Sequence, residues 1–170
     1  MPRFATLIAL PAWLLCLAAA SAQTADKPDL HYWHLWVDRG GMSHLTRCAF
    51  TGLVLKNAHP PAPPQWQDTP PGQGSVIFET QPAGYEGAWH EDPRVQWVVP
   101  LNGTWHIEAQ DGASVDLPPG TVFLGEDLGT KPDAHGHKGH LSEGANGAAV
   151  ALMQVGLGTG PVADRPCHVK

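Results

Sequence analysis

The chain has 170 residues, enough for one domain with a real core and too few for two comfortable ones. Its formal charge is −6, only 15% of residues are charged and no basic run occurs, so the electrostatic footprint of nucleic-acid binding is missing. The 19 glycines and 17 prolines disfavour long helices and suit short strands joined by tight turns. Histidines number ten, as many as lysine and arginine together, which raises the expectation of metal or acid–base chemistry.

Arg3 precedes an apolar run from Phe4 to Ala20 that ends in the small residues Ala20-Ser21-Ala22. This pattern predicts a cleaved signal peptide over residues 1–22. The run contains Pro11 and falls short of the roughly 20 apolar residues of a membrane span. Leu15, ahead of Cys16, does not suit lipoprotein processing. The expected mature product is one domain over 23–170, periplasmic or secreted, with no membrane contact after cleavage. Its two cysteines, Cys48 and Cys167, invite a disulfide from an early strand to the C-terminal tail; a buried thiol and a free one are the alternative.

His31 to Val37 is dense in aromatics and predicts a first strand, with His34 packed or on the surface rather than a ligand. Gly40-Gly41 turns the chain, and Thr46 to Leu55 predicts a second strand. Residues 58–74 hold six prolines and predict a long surface excursion with Trp66 as its apolar anchor. Ser75 to Gln81 predicts a strand. Arg94 to Pro100 and Thr104 to Gln110 flank Asn102-Gly103, a strong hairpin signal that would set Val99 opposite His106 and Val98 opposite Ile107. His106 then faces away from the interior. Ala113 to Leu117, Thr121 to Leu124 and Ala148 to Val155 complete the pattern. Short strands without a convincing helix predict an all-β antiparallel sandwich or barrel.

His90, Asp92 and Gln96 are evenly spaced, so on one strand they share a face. Gly84, His90, Asp92, Gln96 and Gly103 follow the spacing of the first motif of the cupin family, G-x5-H-x-H-x3/4-E-x6-G, with Asp92 at the second histidine and Gln96 at the glutamate. Gly112, Pro118 and Gly120 fit the opening of the second motif, whose histidine would fall on Phe123. The chain also resembles small cupins in which a Gly-x-Gly-His element supplies a late histidine; here that is His140, following Glu126-Asp127.

The resemblance implies an antiparallel jelly roll with little helix and a metal site made by His90, Asp92, Gln96 and His140. Iron, manganese, nickel or zinc would be the ion. A small molecule would be the ligand and a homodimer the assembly. Trp89, Val98, Ile107 and Phe123 are the expected pocket-lining residues. Metal-assisted oxygenase, isomerase or lyase chemistry is the implied function, and a ligand-binding cupin with a decayed metal site the alternative. His135 and His137 are expected on a polar loop, and Glu126-Asp127 at an exposed strand-end turn. Trp89, Trp97, Trp105, Tyr85, Phe78 and Phe123 are expected to fill the interior and its rim.

Overall fold

A computed structural model describes residues 26–57, 65–68 and 74–169; the expected leader and most of the proline-rich excursion lie outside the described residues. Eleven strands are present: β1 His31–Val37, β2 Ser43–Ala49, β3 Val54–Lys56, β4 Gln65–Gln67, β5 Val76–Gln81, β6 Gln96–Asn102, β7 Trp105–Ala109, β8 Ser114–Leu117, β9 Phe123–Gly125, β10 His140–Gly144 and β11 Val150–Gly156. A single 3-10 turn at Ala145–Gly147 is the only helical piece among the described residues. No helix there is long and apolar enough to cross a membrane.

Six strands form one sheet in the order β2-β1-β9-β6-β11-β5, three form another in the order β10-β7-β8, and β3 pairs with β4 alone. The described residues are therefore all-β, with no sheet among them closed into a barrel. One pairing is not antiparallel: β1 runs parallel to β9, with Trp33 opposite Phe123. Parallel neighbours need a long crossover, and the chain reaches β9 only after passing through the smaller sheet.

The turn at Asn102-Gly103 forms, but the hairpin does not. Gly103 takes a φ of 73°, and its amide donates to the Asn102 side chain. Both edges of β6 are already taken, by β9 and β11, so β7 joins the other sheet. Val99 pairs with Met153 rather than His106, and His106 pairs with Asp116. The turn passes the chain between layers.

The two layers meet through one core. Leu35, Val98, Phe123, Val150 and Leu152 come from the large sheet, and Trp105, Ile107, Ala109 and Leu117 from the small one. Trp105 meets Phe123 edge-on at 5.3 Å. Burying one such large apolar side chain contributes about 1.5–3 kcal/mol. Along the same inner face the residues then turn polar. Glu79 and Gln81 follow the register of Leu152 and Val150, while His140 and Ser142 occupy β10 beside Ala109 and Ile107. That polar end is where the two sheets enclose a site.

The outer face of the large sheet carries a second core of Tyr32, Cys48, Val95 and Leu124, against which Leu157 and Val169 pack. Cys48 and Cys167 are joined as a disulfide with Cα atoms 5.2 Å apart, which fastens the tail over this face. Phe78, expected inside, is 72% exposed on edge strand β5.

Candidate metal and ligand site

The site begins with a backbone contact. His90 and His140 exchange both main-chain hydrogen bonds, at 2.9 and 2.8 Å. Gly139 permits this approach: it has a φ of 78°, and a Cβ there would overlap the His90 carbonyl. The two imidazole rings lie 4.6 Å apart, centroid to centroid. His140 is buried and His90 is exposed at the rim.

Three side chains converge behind them. His140 Nδ1 lies 2.7 Å from Asp127 Oδ2. Asp127 Oδ1 accepts the Asp92 backbone N–H at 2.8 Å. Asp92 Oδ1 accepts from Gln96 Nε2 at 2.8 Å, while Asp92 Oδ2 is buried without a partner. That oxygen rests against Gly125, where a Cβ would overlap the carboxylate. One ligand atom from each of Asp92, Asp127 and His140 lies within 4.8 Å of the others, and all three residues are buried.

Burial, and next the charge of Asp127, push the Asp92 carboxyl up to about 8. Burial likewise raises Asp127, to about 6. Burial lowers His140, against the pull of the Asp92 charge. A neutral His140 that donates Nδ1–H to Asp127 keeps its Nε2 lone pair for a ligand. His90 is fixed the same way, since its Nδ1 sits 2.7 Å from the Ala88 carbonyl, which can only accept.

These residues open on a cavity of about 330 Å³. Its lining includes Glu79, Gln81, Tyr85, His90, Asp92, Gln96, Trp105, His140, Ser142 and Gln154. Of the expected residues, Asp92 and His140 join the converging group. His90 touches His140 but stands outside the trio, and Gln96 holds Asp92. None of the four expected pocket residues lines this cavity. Val98, Ile107 and Phe123 lie in the closed core, and Trp89 stacks flat on His137 at 4.4 Å. His135 and His137 take backbone N–H bonds to Asp133 and remain on their loop.

Glu126 and Asp127 are buried rather than exposed, because the chain end covers one and the small sheet the other. Period-two alternation carries a signal for this: Phe123, Gly125 and Asp127 share parity, so Asp127 looks inward and Glu126 outward. Glu126 Oε2 meets His34 Nε2 at 2.9 Å and His168 Nε2 at 2.6 Å, and Oε1 accepts the Val162 N–H at 2.6 Å. The Cys167 N–H donates to His34 Nδ1, so His34 turns Nε2–H toward Glu126. His34, Glu126 and His168 thus form a second compact trio on the opposite face of the large sheet.

No protein-family profile matches the chain, and no curated protein matches its sequence.

Proposed function

We propose that the cavity beside Asp92, Asp127 and His140 is the site of metal-assisted conversion of a small molecule, on a sandwich of the cupin jelly-roll type. A charge imbalance carries this reading. Two buried carboxylates sit with one neutral imidazole, and among the described residues neither has a lysine or arginine partner. A buried carboxylate without a counter-charge takes up either a proton or a cation.

The donor set suits iron, manganese, nickel or zinc, which accept carboxylate oxygen and imidazole nitrogen together. The partnerless Asp92 Oδ2 is the free ligand atom such an ion needs. Asp92 and His140 Nε2 would hold it, with His90 beside them and Asp127 behind His140. When bound, the ion supplies Lewis-acid polarisation and a template for the substrate. Gln96 holds the Asp92 carboxylate in place, and Asp127 sets the tautomer of His140. At the rim, Nδ1 is turned to the Ala88 carbonyl, which leaves His90 Nε2 as the nitrogen that faces a bound molecule. Oxygenation, isomerisation and lyase chemistry all use a site of this kind. The Cys48–Cys167 bridge supports an exported protein in an oxidising compartment.

Equilibrium dialysis of metal-stripped protein against Mn²⁺, Fe²⁺, Ni²⁺ and Zn²⁺, followed by elemental analysis, tests the proposal. The expected result is one ion per chain, held about 10–100-fold more weakly by Asp92→Asn and His140→Ala. A wild-type chain that binds no ion, or variants that bind equally well, would reject it.

One observation favours a second reading, a ligand-binding protein without chemistry. Gln96, at the position of the cupin glutamate, puts a neutral amide where that motif has a carboxylate, and its nitrogen is bonded to Asp92. A metal-free chain that melts higher with small aromatic acids or sugars would mark that case.

A further inference from the structure

We propose that the cavity takes a neutral, hydroxyl-rich molecule the size of a monosaccharide or small polyol, and discriminates against carboxylates and phosphate esters. This names the substrate class of the site proposed above and rests on that cavity being the functional one.

The first argument is sign. The lining carries Glu79, Glu91 and Asp92, with no lysine or arginine. In the metal-free chain an anion entering there meets the Glu79 carboxylate and finds no guanidinium or ammonium in the lining to pair with, Lys138 being spent on Glu91 at 3.5 Å.

The second argument is a mismatch in hydrogen bonding. Trp105 and Gln81, which line the cavity, are only 4% and 5% exposed. Yet the indole Nε1–H of Trp105 and the amide Oε1 of Gln81 have no partner. Buried polar atoms are rarely left so, and those that are mark a place for water or a ligand. One of these atoms donates and the other accepts. A hydroxyl serves both, whereas an ammonium can satisfy only the acceptor.

The third argument is an acceptor in the cavity wall. The Glu79 carboxylate is steadied by Gln154 Nε2 at 3.1 Å and by Gln81 Nε2 at 3.4 Å. It is a preorganised acceptor with lone pairs to spare for hydroxyl groups. Tyr85 adds an aromatic face at the mouth. The volume, about 330 Å³, lies at the small end of the roughly 300–1,000 Å³ usual for ligand pockets.

The test measures probe binding by calorimetry and tryptophan fluorescence on the metal-stripped full chain, and ion stoichiometry separately after Mn²⁺ loading. The probes are D-glucose, D-mannose, D-xylose and myo-inositol, set against glucuronate, gluconate, glucose 6-phosphate and glucosamine. At least one neutral probe is expected to bind, and the anionic ones to bind at least tenfold more weakly. Gln81→Leu and Trp105→Phe are each expected to weaken the neutral probe about tenfold. Ion stoichiometry should stay unchanged in both. Tyr85→Ala, at an exposed position with little folding risk, should weaken it severalfold.

Tighter binding of an acid or phosphate ester than of every neutral probe overturns the assignment, as does tightest binding of glucosamine. A chain that binds its ion but none of the neutral probes loses the substrate class and keeps the metal site. A chain that binds a neutral probe without ever holding an ion keeps the substrate class and loses the metal reading.

Discussion

Glu126 and Asp127 are adjacent in sequence, both buried and both bonded to histidine, yet they belong to different kinds of structure. Glu126 faces outward and collects three donors, from His34, His168 and the Val162 backbone. Burial alone would raise its carboxyl, but these donors outweigh burial and hold it below the ordinary value. Asp127 faces inward, shares its space with a second carboxylate, and is raised. Residue types are nearly the same in the two trios; the supply of donors differs. Where both oxygens are answered, the cluster is a clasp that fastens the tail beside the disulfide. A shortage of donors instead leaves a place for a ligand.

The largest expected effect breaks the clasp. Glu126→Ala leaves the imidazole donors of His34 and His168 and the Val162 N–H unanswered, and should cost about 3–5 kcal/mol in urea unfolding. Ion stoichiometry at the other trio should not change. A loss under about 1 kcal/mol would mean the clasp is not structural.

The converse substitution is Asp127→Asn, which removes charge from the inward trio and frees the tautomer of His140. Ion affinity should fall about 10–100-fold, while stability of the metal-free chain holds or rises. Loss of stability with retained affinity would reverse the two roles.

Acid and base should also separate the trios. Asp92 is raised from 3.8 to about 8, so the metal-free fold prefers its protonated form. Its contribution is complete below about pH 4 and is lost as pH rises through about 8. Glu126 is lowered from 4.5, so its contribution is present above that value and is lost as pH falls through the folded one. Asp127, raised to about 6, and the lowered His34 and His140 also act between pH 4 and 6.5, so Asp92 is read above that range. Metal-free Asp92→Asn should lose the decline in stability between about pH 6.5 and 8 and keep the decline in acid. A wild-type curve flat over pH 6.5 to 8 would contradict the imbalance at Asp92.

The smallest effect belongs to the loop. His137→Ala removes the stack on Trp89 and should change stability by no more than about 1 kcal/mol, with no change in ion binding. A fall in ion affinity would bring the loop histidines back as ligands.

Much of the architecture is legible in the residues. Strand-forming runs sit where Gly and Pro punctuation places them, and the aromatic run from His31 to Val37 is a strand buried on both faces. The meeting of His90 and His140 across fifty positions is what the likeness to small cupins with a late histidine leads one to expect, where the motif spacing alone points to Phe123. What is not legible depends on partners distant in sequence. The Asn102-Gly103 turn is a local property, but which strand lies beside β6 is decided by β9 and β11. Strand β10 hides behind the Gly- and His-rich run before it, and gains its order by pairing with β7. Exposure of Glu126-Asp127 is the natural reading of a strand end. It fails because the tail, held by Cys167, closes over Glu126.

Gly125 gives the inward trio a vulnerability that no ligand residue shows. Its backbone is extended within β9 and tolerates alanine, yet a single methyl group there would occupy the volume of the Asp92 carboxylate. Alanine at this position would act as a plug, displacing the carboxylate with every charged group and histidine still in the chain.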